Sequence, residues 1–237
     1  MVKPFIADIC IPTYNEEKNL DNCLHHLSIQ TLYREDLLNI IIADYKQDHS
    51  DEKKELKEIL GKYKNVTLVN VRRDGIAYAR NQGIRLGGIA PNIISFDADS
   101  YYNRQDAIEK MIAPLIPDRT GFSSGLLTHC DLQIDGKDKS DTVSPIVFKV
   151  ASIAYKVLPL TMGQCMAFSR TAFDMIGGFR DEIFVKGIPG EDWDFTIRLC
   201  MKFGHMAKVY IPDVVVYTSN RRHKNLANIL DYTKDYR

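Results

Sequence analysis

No apolar run in this chain reaches the roughly 18 residues that a membrane-spanning helix requires. The opening stretch "MVKPFIADIC" carries no hydrophobic leader region. Both absences point to a cytoplasmic protein, and they leave peripheral contact with the inner membrane surface open. A surplus of charge is missing too: Lys plus Arg and Asp plus Glu each number 31, so the formal net charge is zero. Nucleic-acid binding as the main task needs a basic surplus to neutralise phosphates, so that class is set aside. A small basic site for one phosphorylated ligand is not excluded. Cysteine is sparse, odd in number and never spaced as CxxC (Cys10, Cys23, Cys130, Cys165 and Cys200). That argues against a zinc cluster or a disulfide framework and fits a reducing compartment. Cys10 and Cys23 fall on apolar positions and read as core packing. No GxGxxG follows the first strand, which disfavours a dinucleotide oxidoreductase. Repeats, low-complexity tracts and linkers are absent as well, so residues 1–237 read as one domain.

What is present is alternation. "PFIADICI" (Pro4 to Ile11) is a short strand closed by Pro12. It is followed by a helix with Leu20, Cys23, Leu24 and Leu27 at helical spacing. Asn15 is placed to cap that helix, with Glu16 and Glu17 at the positive end of its dipole. "LLNIIIAD" (Leu37 to Asp44) is a second strand. "SDEKKELKEILGKY" is a helix with Leu56, Ile59, Leu60 and Tyr63 on one face. "VTLVNV" is a third strand, Ala77 to Leu86 a helix, and "NIISFD" a fourth strand. Short apolar strands separated by amphipathic helices predict a mostly parallel, Rossmann-like sheet covered on both faces. The second half is less regular: β-like runs over Gly121 to Asp141, and an apolar helix over Val143 to Leu158 capped by Asp141. "GQCMAFSR" then reads as a strand, "GEDWDFTIRLCMKFG" as a helix, and "AKVYI" and "VVVYT" as two short strands before a polar tail. The halves divide near residue 118.

Ligands of such sheets sit outside the carboxyl ends of the strands. "PTYNEE" after the first strand, Asp44 at the end of the second and the Asp97–Ala98–Asp99 run at the end of the fourth should therefore share one rim. Two aspartates at a strand end form either a solvated turn or a site for a hard divalent cation, Mg²⁺ or Mn²⁺. With so few protein ligands the cation completes its shell with a diphosphate, so the ligand would be a nucleotide. Thr13, Tyr14 and Glu16 line the rim, where an aromatic and a carboxylate suit a base and a ribose. Asp44 offers an acceptor for a nucleobase N–H. In "GIAYARNQGI" the apolar helix face is Ile76, Ala79 and Ile84. Arg80 faces elsewhere, either exposed or reaching a phosphate.

Taken in order, "ICIPTYNEE", "IIAD", "AYARNQGI", "ISFDADS", "MAFSRTAFDMIGGFRDEIF" and "GEDWDFTIRL" resemble the inverting family 2 glycosyltransferases of the GT-A fold. The resemblance runs from about Ile6 to Thr218. It implies a GT-A fold with a nucleotide-binding half (1–118) and a smaller, mixed half (119–237) carrying the acceptor site and the catalytic base. It also implies a UDP- or GDP-linked sugar donor, a metal on the DxD pair, and a glycan or lipid-linked acceptor. By position, Thr13, Tyr14 and Glu16 match the first donor loop, Asp44 the nucleobase contact, and Arg80 a residue near the nucleotide. Asp97 matches the DxD residue nearer the ribose and also counts with the metal site, Ala98 lies between the two carboxylates on the nucleotide side, and Asp99 matches the principal metal ligand. Asp192 matches the base. The run Glu191, Asp192, Asp194 also has a bland reading, as acidic residues favourable at a helix start by roughly 0.3–1 kcal/mol each. Trp193, the sole tryptophan, is open to a sugar ring or to packing.

The sequence departs from the family pattern at "ADYKQDHSD", where Tyr45 and Lys46 follow the nucleobase aspartate; base identity is left open. In "TSNRRHK", Ser219, Arg221, Arg222 and His223 read equally as a lid over the diphosphate and as a solvated turn. Two other functions compete with this one. A nucleotidyltransferase that makes sugar nucleotides would want a Gly-rich, basic first loop, whereas "PTYNEEKNL" is acidic. A non-catalytic nucleotide-sugar-binding relative is opposed by the presence of Asp97, Asp99 and Asp192 together.

Overall fold

The computed structural model describes residues 3–45, 54–72, 75–116, 119–130, 153, 161–180, 190–204 and 207–219. Its first part follows the predicted alternation: β1 (Ala7–Thr13), α1 (Glu17–Ser28), α2 (Thr31–Arg34), β2 (Leu38–Tyr45), α3 (Lys54–Leu60), β3 (Val66–Val71), α4 (Ile76–Gly87) and β4 (Asn92–Ser95). Then come β5 (Ser100–Tyr102), α5 (Ala107–Ile112), β6 (Phe122–Cys130), a 3₁₀ turn at Gly163–Cys165, β7 (Met166–Ser169), α6 (Arg170–Met175), α7 (Glu191–Phe203) and β8 (Lys208–Ser219). The strands form one sheet in the order β3-β2-β1-β4-β7-β6-β8-β5. Its first four strands are parallel, and β7 and β5 run antiparallel to their neighbours. The parallel half is the one that the alternation predicts, and the mixed half beside it is what the family resemblance implies.

Period-two alternation sends the two sides of β1 into different cores. Ala7, Ile9 and Ile11 pack against Leu20, Leu24 and Leu27 of α1, while Cys10 joins Ile84, Phe168, Phe173 and Phe195 on the opposite face. Each buried leucine of α1 contributes about 1.5–3 kcal/mol of transfer free energy. Cys10 and Cys23 are buried free thiols, as predicted for core positions.

Several expected details change. Helix α1 starts with Glu16, not Asn15, at its N-cap, and Asn15 is in the left-handed region at φ 53°. The two short strands expected near the end are one strand, β8, which pairs with β5 on one side and β6 on the other. Its register against β6 shifts between Ser124 and Leu126, opposite the exposed Pro212–Asp213 step. A bulge there absorbs a proline that has no N–H for the ladder. The short runs expected over Gly121 to Asp141 begin with a nine-residue strand, β6. "GQCMAFSR" is a strand only from Met166. Apart from Ile153, the apolar stretch Val143 to Leu158 and its cap Asp141 lie outside the described residues, as do Lys46, Arg221, Arg222 and His223. Among the described residues no helix is long and apolar enough to cross a membrane.

Candidate active site

The parallel strands end together, which puts the predicted rim residues side by side. Thr13 and Asp44 are register partners at the ends of β1 and β2. The Thr13 Oγ1 hydroxyl donates to Asp44 Oδ1 at 2.9 Å, and both residues are buried. Tyr14 is half-exposed, its ring centroid 5.5 Å from that of Tyr45 at a tilt of 41°. Glu16 accepts from Asn19 Nδ2 at 2.7 Å, so its carboxylate is oriented at the start of α1.

The fourth strand stops pairing at Ser95 and the chain turns through Asp97, Ala98 and Asp99 into β5. The two aspartates face different partners. Asp99 is buried, and its Oδ1 accepts from Thr218 Oγ1 of β8 at 3.2 Å. Asp97 is more open, and its Oδ1 accepts from Arg80 Nη2 at 2.9 Å. Both supply hard carboxylate oxygens, and a hydroxyl orients one of them, which fits a hard divalent cation. Among the described residues no group of three or more His, Cys, Asp or Glu is arranged to hold a metal. A cation here would need oxygens from its ligand, as a diphosphate provides.

Arg80 is the main correction. Helix α4 buries the predicted Ala79 and Ile84 and, with them, Ala77, Arg80 and Asn81, and Arg80 is 1% exposed. Its Nη1 donates to Glu191 Oε1 at 2.5 Å, so one guanidinium joins the DxD turn to the first residue of α7. Burial by itself lowers its pKa, but Asp97, Glu191 and Asp192 reverse this and raise it above the ordinary arginine value. The cation is permanent, and its carboxylate partners are what make its burial tolerable.

Asp192 follows Glu191 and takes two backbone donors, the N–H of Gly163 at 2.8 Å and that of Trp193 at 2.8 Å. Burial, then the charge of Glu191, raise its carboxyl to about 7, against the opposing pull of Arg80 and of those two amides. A carboxyl there titrates close to neutrality, as proton transfer to or from a hydroxyl requires.

Two glycines permit this arrangement. A Cβ at Gly163 would stand 2.5 Å from both terminal nitrogens of Arg80. Gly190 caps α7 at φ 92°, and a Cβ there would meet Asp192 Oδ1 at 2.6 Å. The start of α7 is anchored from below. Buried Asp194 accepts from Arg198 Nε at 2.7 Å, and Arg198 donates to the carbonyls of Ile176 and Gly178. The sequence reading did not single out Gly163, Asn81 or Thr218. Glu191 appeared there only as helix-start charge. Gly163 opens the segment read as a strand, so its glycine carried no distinct signal.

The comparisons with known proteins agree with this fold. The chain matches the "Glycosyl transferase family 2" family over residues 8–177, and no curated protein matches it. Among solved structures it is similar to the mannosyltransferase PcManGT from Pyrobaculum calidifontis in complex with GDP-Man and Mn²⁺, at 20% identity and a TM-score of 0.68, over 90% of this chain and 56% of that one. It is similar to GalNAc-T7 with UDP, GalNAc and Mn²⁺ at 18% identity and a TM-score of 0.64, over 91% and 44%. It is also similar to S. aureus TarS in complex with UDP at 16% identity and a TM-score of 0.60, over 90% and 60%. The chain thus spans between 44% and 60% of the length of these three. With the family match running from the first strand through the DxD turn to the loop after α6, the chain belongs to glycosyl transferase family 2.

Proposed function

We propose that the protein is a metal-dependent, inverting glycosyltransferase that moves a sugar from a UDP- or GDP-linked donor to an acceptor hydroxyl on a glycan or a lipid-linked molecule. One observation carries this reading. Asp192 directly follows Glu191, which shares the Arg80 guanidinium with Asp97 of the DxD turn, and two backbone amides hold its buried carboxyl there. Inversion needs a hydroxyl to attack from the face opposite the diphosphate while one carboxylate accepts its proton. We assign that role to Asp192, whose ionised form the two amides hold in place.

The donor side rests on the rim. Asp44, oriented by Thr13, is the acceptor for a base N–H, with the rings of Tyr14 and Tyr45 beside it. Asp97 and Ala98 sit on the ribose side, and Asp99 would hold the cation. When bound, Mn²⁺ or Mg²⁺ offsets the charge that builds on the departing diphosphate. The similar structures support a nucleotide donor and Mn²⁺, since their own complexes hold GDP-Man or UDP and, in two cases, Mn²⁺. We read residues 1–237 as one catalytic unit working in a reducing compartment, where its free thiols persist.

The test is a panel of UDP- and GDP-sugars with Mn²⁺, read first by thermal shift and then by release of the nucleoside diphosphate. Asp192→Asn should bind the donor within about threefold of wild type while turnover falls by about 10²–10⁴. Full activity in that variant would place the base elsewhere.

A further inference from the structure

Three carboxylates act on one buried guanidinium. Both terminal nitrogens of Arg80 are engaged by protein, Nη2 by Asp97 at 2.9 Å and Nη1 by Glu191 at 2.5 Å. Gly163 closes against those two nitrogens, leaving no room for a Cβ. The ring of Phe179 lies 5.6 Å from the guanidinium carbon. The neighbouring Asn81 makes a reciprocal pair with the backbone of Phe179, donating to its carbonyl at 2.7 Å and accepting from its N–H at 2.9 Å. An arginine reaching out to a ligand phosphate would be open to solvent. This one is buried at the meeting point of α4, the DxD turn, the Phe179 loop and the start of α7.

We propose that Arg80 is a positioning residue and not a donor-phosphate ligand: by holding Asp97 and Glu191 on one planar guanidinium, it fixes Asp192 against the amide of Gly163 and sets it relative to the DxD turn. The inference deepens the glycosyltransferase reading and rests on it for the meaning of Asp192. The chemistry of the fork is the reason an arginine stands here. Its donors diverge in one plane and reach two carboxylates at once, whereas a lysine ammonium keeps the charge without that geometry.

Amide exchange measured by NMR on the full chain without ligand tests the placement directly, because the Gly163 N–H is bonded to Asp192. In Arg80→Lys the Gly163 amide should exchange at least about tenfold faster, while Ile9 and Ile41 in the central strands stay within about twofold of wild type. Glu191→Ala leaves the Arg80–Asp97 pair in place and should release Gly163 in the same way, which keeps the test open if Arg80→Lys does not fold. Calorimetry with UDP and with GDP, each with Mn²⁺, supplies the second readout. Arg80→Lys should keep its nucleotide affinity within about threefold while turnover of nucleotide sugars falls about a hundredfold or more. Unchanged Gly163 exchange in these variants overturns the proposal. So does deprotection that spreads equally to Ile9 and Ile41, or a nucleotide affinity that falls in step with turnover. A wild-type protein that binds neither nucleotide would sink the glycosyltransferase reading instead, and the exchange of Gly163 would still decide the role of Arg80.

Discussion

Arg80 and Glu191 stand 111 residues apart in the chain and meet at 2.5 Å. Through that contact the helix following β3 and the helix carrying the candidate base share one charge. The other terminal nitrogen of the same arginine holds the aspartate that opens the DxD turn. Arg80, Asp97 and Glu191 are therefore one ion-paired cluster, with Asp192 the next residue in the chain, and its parts can be tested separately.

Turnover should depend on pH through Asp192. Its carboxyl is raised from 3.8 to about 7, chiefly by burial and then by Glu191. A base works ionised, so kcat should rise toward a plateau above about pH 7 and fall below it. Stability runs the other way. Between the two values the folded protein keeps a proton that the unfolded chain has lost, so this group makes folding less favourable as pH rises through that window. The Tm of Asp192→Asn, relative to wild type, should then improve from about pH 4 to about pH 8. A pH-independent difference would contradict a raised carboxyl.

Asp99→Ala should abolish Mn²⁺-dependent binding of UDP or GDP, measured by calorimetry with and without the metal. Thr218→Val, which removes the hydroxyl on Asp99 Oδ1, should weaken that binding by about 1 kcal/mol. Binding unaltered in Asp99→Ala would assign the metal to other residues.

A methyl group at position 163 has nowhere to go. Gly163→Ala forces the guanidinium or the 3₁₀ turn to shift, at a cost of about 1–3 kcal/mol in urea unfolding. Turnover should drop with it, because the same turn supplies an amide to Asp192. Wild-type stability in this variant would show that the turn yields freely.

The far end of the sheet offers a control. Asp8 is fully buried and accepts from Asn39, the Ala90 amide and Arg170. Arg170→Met leaves that carboxylate short of its cation and should cost about 3–5 kcal/mol in urea unfolding. Asp8 lies at the opposite end of β1 from Thr13, so nucleotide affinity should not change. A parallel loss of affinity would mean that the two ends of the sheet are coupled.

Much of this site is written in local pattern. Apolar runs of four to eight residues and helical spacing over Leu20, Cys23, Leu24 and Leu27 determined the parallel half of the sheet. Parallel strands end on one side, so Thr13, Tyr14, Asp44 and the DxD turn had to share a rim. Periodicity reports which positions meet a neighbouring layer, and that information is carried by residues close together in the chain.

Partners distant in sequence are another matter. Thr218 lies 119 residues from the aspartate it orients, and nothing in "VVVYT" distinguishes its hydroxyl from that of any edge-strand threonine. The step at Pro212 reads as a break between two strands, yet β6 pairs with the chain on both sides of it. Arg80 shows the principle most plainly. Hydropathy assigns a guanidinium to solvent, because burying it alone is prohibitive. Only the tertiary structure, which brings Asp97 and Glu191 to its two ends, lowers that cost and turns a residue expected at the surface into the buried joint of the site.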